Sequence, residues 1–409
     1  MIRTQIMCAV FAYIGNKETT MANNRSNKVS HTNRMIWQQT SLPLPRIDLK
    51  QLQIDSYDQF LKAGIKEALE EITPIEDFSG NNWSLTFHNS NIGEASITPE
   101  VALGKGLSYD APLRADARLI NKQTGEISEQ EVFLGDIPLM TNRATFIING
   151  IERAVINQLV RAPGVFFSAE NDAAGGRPAI NAEIRPVRGS WLEFTLSKSG
   201  VLSVKIDRRK KFPVTVILRV FGLSEDEDIR KAFSDVESEE TAFIQNTLEK
   251  DATKSKDEAM LEVYKKMRPG DPIVLENAQN LMDVMFFNPR RYSLDSVGRY
   301  KINKKLGLNI PADQTTVTAE DIIATIKYMY NLAHGQGEYD DIDHLANRRV
   351  RRVGELIQQN ALRIGLLRLE RMIRERMSLT ATDQPITPVS LVNARPIIAS
   401  VNEFFRSSQ

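Results

Sequence analysis

With 409 residues, 42% of them hydrophobic, the chain has apolar material for two or three separately cored domains of an ordinary globular protein. Its 52 lysines and arginines balance 52 aspartates and glutamates, so any nucleic-acid surface must arise by segregating charge along the chain. One cysteine, Cys8, excludes a disulfide framework and a multi-cysteine zinc site, and His31, His88, His334 and His344 lack HxH or HExxH spacing, so no metal is expected.

Residues 1–41 are polar and aperiodic, which predicts disorder. The apolar run Ile6 to Ile14 falls short of the ~20 residues that cross a bilayer and lacks a small-residue cleavage pattern, so neither membrane span nor secretion signal is expected. Met21, which opens MANNRSNKVSH, is an alternative start of translation. Order is expected from Leu42, with a helix carrying Leu49, Leu52, Tyr57, Phe60 and Leu61 and with Asp55 or Ser56 as a cap for its later part. From Trp83 to Ile148 the pattern alternates. WSLTFHNSNI, ARLINKQTG, EISEQEVFLGDIPLM and RATFIINGIERAVI read as strands, with a hairpin turn at Thr124-Gly125. Ile180 to Val216 is again β-rich, turning at Ser199-Gly200, and helices follow over Asp226 to Met267, 276–287 and 318–331. The fold class is therefore mixed α+β and multidomain.

Charge is segregated along this frame. Ser224 to Glu258 is acidic and reads as a solvated face or peripheral insertion, whereas residues 290–305 are basic. Residues 345–376 hold nine arginines against three glutamates. Within them, DDIDHLANRRVRRVGE switches from Asp340, Asp341 and Asp343 to Arg348, Arg349, Arg351 and Arg352. Read as a helix at ~100° per residue, these arginines fan over almost half its surface, with the aspartates capping its start. Guanidinium groups stay charged at any working pH and match phosphates with paired hydrogen bonds. From Val353 to Met377 one long helix is expected, with Leu362, Leu366, Leu369 and Ile373 as a core stripe and an Arg371–Glu375 pair outside it. A last helix near Pro396 carries Ile397, Ile398, Val401, Phe404 and Phe405 almost to the end, which suggests truncation.

Several segments, in order from about Leu42 to Gln409, resemble the β subunit of bacterial-type DNA-dependent RNA polymerase. They are APLRADARLI at 111, EVFLGDIPLMT at 131, FIINGIERAVINQLVRAPGVFF at 146, RGSWLEF at 188 and KIDRRKKFPVTVILR at 205. PGDP at 269, VGRYKINKKLGL at 297, the DDIDHLANRRVRRVGE stretch and NARPIIASVNEFFRSSQ complete the series. The resemblance implies an N-terminal fragment of that subunit: a β-rich protrusion domain from 42–150 and 353–409, with an α/β lobe inserted as 151–352. It also implies that Arg161, Trp191, Asp207, Asp343 and Arg348 line a pocket for an unstacked base of the non-template strand. Ile156 and Gln158 would border the rifamycin pocket, and Arg349, Arg351 and Arg352 become candidates for DNA-backbone contacts.

By the same resemblance the partners are β′, the α dimer, a σ factor, DNA and the RNA–DNA hybrid, in the cytoplasm and away from membranes. No cofactor is expected on this chain. The Mg2+ of nucleotidyl transfer would be held by β′, and the 409-residue chain alone is expected to be inactive. Two alternatives from other classes are a free-standing β-like module that docks on nucleic acid or polymerase without catalysis, and a scaffold whose arginines only pair with the acidic insertion.

Overall fold

The computed structural model describes residues 48–170, 178–238, 241–379 and 386–407. The expectations for the disordered start, the alternative start at Met21, Cys8 and His31 lie outside those residues.

Helix Gln51–Gln59 continues through a π turn at Phe60–Gly64 into Ile65–Ile72. Neither proposed cap acts as one. Asp55 accepts from Gln51 Nε2 at 2.6 Å within the helix, and Ser56 is buried, its Oγ accepting the Gly354 N–H at 3.1 Å. A four-stranded antiparallel sheet follows, in the order β1 (Ile75–Glu76), β2 (Trp83–Ile92), β3 (Asp110–Asn121), β4 (Ile127–Pro138). Every second residue of β3 is buried, Ala111, Leu113, Ala115, Ala117 and Leu119, because alternate side chains of a strand face one side. The expected turn between β3 and β4 is present, with Gly125 at φ +76°. The next segment divides at Asn149-Gly150, both left-handed, into the short pair β5 (Phe146–Ile148) and β6 (Ile151–Arg153). Asn-Gly is the least strained dipeptide for such a turn.

Helix Val353–Ile357, a π turn at Gln358–Leu362 and helix Arg363–Leu379 form the expected long helix. Its stripe of Leu362, Leu366, Leu369 and Ile373 is fully buried, together with Ile397, Val401 and Phe405 of helix Arg395–Arg406. These close one hydrophobic core with Tyr57, Phe60, Leu85, Leu113 and Phe146.

A second core lies between these contributions in sequence, from Val165 to Leu332. Its base is a five-stranded antiparallel sheet, β12-β11-β10-β9-β8, made of β8 (Gly164–Glu170), β9 (Ala179–Arg185), β10 (Leu192–Leu196), β11 (Leu202–Ile206) and β12 (Lys211–Pro213). The β-rich reading to Val216 overshoots. VTVILRV, Val214–Val220, is a helix whose seven residues are all buried, so packing on every side overrides the β-branched preference after Pro213.

Two buried arginines correct the charge reading. Arg219 is fully buried and held by Asp226 and Asp251, so the acidic 224–258 stretch supplies core counter-charges and is not simply a solvated insertion. Arg299, counted in the basic run 290–305, is also fully buried. It donates to Asp321 Oδ1 at 2.6 Å and to the carbonyls of Gln314 and Thr316. Asp321 also closes the capping box of helix Ala319–Ala333 with Thr318. A buried ion pair adds little net stability, but removing one partner strands the other charge. Asp321→Ala is therefore expected to lower the stability of the 409-residue chain by about 3–5 kcal/mol in urea unfolding, and an unchanged midpoint would refute that role.

The arginine cluster itself is not a helix. Arg348–Arg351 forms strand β13, paired antiparallel with β7 (Gln158–Arg161) in the register Arg348↔Arg161 to Arg351↔Gln158. The aspartates accordingly cap no helix there. Asp340 accepts from the Phe167 N–H and from Lys305 Nζ, both at 2.9 Å, and Asp341 accepts from the Asp343 N–H. The strand wins because alternate residues share a side, so Arg349 and Arg351 both reach Glu355; in a helix they would point ~200° apart. The outgoing strand β7 and the returning strand β13 form a neck between the two cores. Gly354 sits at its foot, where a Cβ would meet the Ser56 carbonyl oxygen at 2.0 Å.

Candidate nucleic-acid interface

The neck, the end of β9 and the start of helix Val353–Ile357 enclose a cavity of about 500 Å3. Six arginines line it: Arg161, Arg185, Arg188, Arg349, Arg351 and Arg363. They share three carboxylates. Arg161 and Arg185 meet Glu183, Arg188 and Arg363 meet Glu71, and Arg349 and Arg351 meet Glu355. Glu71 comes from helix Ile65–Ile72 of the first core and Arg188 from the loop before β10, so this pair also ties the two bodies together. Arg290 to the Thr73 carbonyl at 2.7 Å and Arg291 to Glu370 at 2.7 Å repeat that link.

Crowding shows in the protonation equilibria. Burial lowers the Arg188 pKa, and neighbouring Arg363 and Arg291 press it further down against the pull of Glu71. Burial pushes the Glu355 carboxyl up, but Arg349 and Arg351 more than offset this and hold it below the ordinary carboxylate range. With two guanidinium groups per carboxylate, each fork keeps N–H donors for another anion, and phosphate is the geometric match.

Trp191 opens onto the same cavity, half-buried and outside both cores. Its backbone is locked by Asp207. The Trp191 N–H donates to Asp207 Oδ1 at 2.8 Å, and the Asp207 N–H returns a bond to the Trp191 carbonyl at 3.1 Å. The Arg185 guanidinium lies 4.2 Å from the indole centroid.

Of the residues singled out by sequence, Arg161, Trp191, Arg349 and Arg351 come together on the cavity wall. Asp207 lies behind Trp191 and lines a neighbouring depression with Ser190 and Arg268. Arg348 is the cross-strand partner of Arg161 but is not on the wall; it has no carboxylate partner among the described residues. Asp343 is exposed in the loop before β13 and is likewise off the wall. Arg352 bonds Gln59 Oε1 at 3.4 Å and lines an adjoining cavity of about 510 Å3. Ile156, 82% exposed, lies in the loop before β7, and Gln158 is the exposed first residue of that strand. Sequence reasoning missed Arg185, Arg188 and Arg363 and all three glutamates. The alternation of β9 carries a signal for Arg185, but Glu71 gives none, since its partners lie over a hundred residues away.

Two kinds of similarity bear on this arrangement. Residues 161–351, from the last residue of β7 to the last of β13, match the family RNA polymerase Rpb2, domain 2. The wider chain is similar to proteins named DNA-directed RNA polymerase subunit beta. The relative from Syntrophomonas wolfei is 46% identical over 376 residues, covering 92% of this chain and 33% of the relative. Those from Geobacillus kaustophilus and Staphylococcus carnosus are 41% identical, covering 93% of this chain and 38% of each relative. The chain is thus a relative of the RNA polymerase β subunits and spans about a third of the length of those it matches.

The lowered Glu355 pKa has a pH consequence. A depressed folded-state carboxyl stabilises above its unfolded pKa of ~4.3 and loses that contribution as pH falls through the folded value. Glu355→Gln is expected to be less stable than the parent at pH 7, with the deficit shrinking as pH falls below the ordinary carboxylate range. Thermal unfolding of both proteins across pH 3–7 reads this, and a deficit constant with pH would exclude it.

Proposed function

We propose that this chain is the part of an RNA polymerase β subunit that borders DNA, with residues 42–150 and 353–409 as the protrusion and 151–352 as the inserted lobe. The observation that carries the reading is the arginine-lined cavity with a half-buried indole at the neck. Arginines in excess of their carboxylates hold phosphates without regard to sequence, while the indole offers a stacking surface for an unpaired base. In this reading Arg161 and Trp191 receive a non-template base, Asp207 positions Trp191, and Arg349 and Arg351 meet the backbone. Arg348, beside Arg161 and without a carboxylate partner among the described residues, and Asp343, exposed just upstream, approach the base or its phosphate from the rim. Arg352, next door, extends the cationic track, and Ile156 and Gln158 border the path of the transcript.

Catalysis in this scheme belongs to the remainder of β and to β′, which would hold the Mg2+ ions of nucleotidyl transfer. The assembly would include the α dimer and a σ factor and would work in the cytoplasm. The 409-residue chain alone is expected to bind DNA without incorporating nucleotides.

Binding to a bubble DNA and to the matching duplex, measured across salt concentrations, tests the reading. Trp191→Ala should weaken bubble binding about 5- to 100-fold, the worth of one stacked base, and leave duplex binding unchanged. Equal loss on both DNAs, or none, would rule out base stacking at Trp191.

A further inference from the structure

The turn after β11 holds a residue that neither core needs. Asp207 and Arg208 both have left-handed backbones, at φ 49° and 57°, and the Arg209 N–H donates to the Ile206 carbonyl at 2.9 Å. This is a type I′ geometry, whose second central position favours glycine strongly. Asp207 suits the first position and holds the Trp191 backbone. Arg208 accepts steric strain that Asp-Gly would avoid, and an observed strain of this kind directs attention to function.

Its side chain explains the placement. Leu192 pairs with Ile184 on one side and with Ile206 on the other, so Trp191, one residue earlier, is approached from both neighbouring strands. Arg185 reaches the ring from the β9 side at 4.2 Å, and Arg208 from beyond β11 at 5.4 Å. The two cations differ in freedom. Arg185 is 11% exposed and fixed on Glu183. Arg208 is 61% exposed, and its Nε meets Glu193 Oε1 at 3.0 Å, a single hydrogen bond to a carboxylate that is itself 17% exposed, with the guanidinium largely in solvent.

We infer that Arg208 is a displaceable cover on Trp191: its guanidinium occupies a stacking position, yields it to an incoming base of single-stranded nucleic acid, and then pairs with a phosphate of the same strand. The inference rests on the base-stacking reading of Trp191. Cation–π contact protects the indole when no ligand is bound, and the freed charge recovers an anionic partner when one is.

The test uses the 409-residue chain, a short single-stranded oligonucleotide, and the variants Arg208→Gly and Trp191→Ala. Glycine relieves the turn, so Arg208→Gly should unfold at the same or a higher temperature. Its tryptophan fluorescence should be quenched more readily by acrylamide without ligand. Its oligonucleotide affinity should fall several-fold at low salt, and the slope of log affinity against log salt should flatten by about 0.7, the loss of one single-strand phosphate contact. Arg208→Asn, which also tolerates a left-handed backbone, should reproduce this if the glycine variant fails to fold. Unchanged quenching and slope in Arg208→Gly, while Trp191→Ala weakens binding, would overturn the cover alone. No effect of Trp191→Ala would overturn the stacking reading and the cover with it.

Discussion

Everything else in this molecule hangs on the pairing of two four-residue strands, β7 and β13, where the chain leaves the first core and returns to it. The pairing is not held by burial. Leu159 opposite Val350 is an exposed apolar pair, and the remaining side chains are arginines, a valine and a glutamine. What secures the neck is backbone hydrogen bonding on one axis and Glu355 on another, reaching back from the helix that follows to clasp Arg349 and Arg351. The close fit of Gly354 on the Ser56 carbonyl then seats the return strand against the first core.

From that join the electrostatics follow. A neutral chain becomes cationic at one place because guanidinium groups outnumber the carboxylates there, while other arginines are consumed inside the cores. Arg299 and Arg219 are fully buried with aspartate partners and offer nothing to a ligand. Glu71 and Glu183 each divide between two arginines. The same side chains thus fix the position of one body against the other and leave donors facing the cavity, so structural pairing and anion binding draw on one set of groups.

Local patterning carried much of the architecture. The spacing of Leu362, Leu366, Leu369 and Ile373, the alternation of β3 and the Gly125 and Gly200 turns are all visible in sequence because each arises from neighbours within a turn or a pleat. Arg348–Arg351 was illegible for the opposite reason. RRVR has no period of its own, and the strand that makes it a strand lies nearly two hundred residues earlier. VTVILRV misled through composition, since β-branched residues become helical when every side is buried. Collinear motifs brought Arg161 and Trp191 to notice, but motif order says nothing of which carboxylate a guanidinium will meet, so Glu71, Glu183 and Glu355 emerged only in three dimensions.

The interleaving of the two cores bears on how the chain is made. Residues Tyr57 to Ile148 wait for Val353 to Phe405 to complete their core, whereas the second core is continuous in sequence. During synthesis the middle of the chain is therefore the first part able to fold to completion, and the sheet of β2 to β4 keeps an uncovered apolar face until the last helices emerge. That interval, and not the finished fold, is when this polypeptide is most exposed to aggregation and most in need of a chaperone.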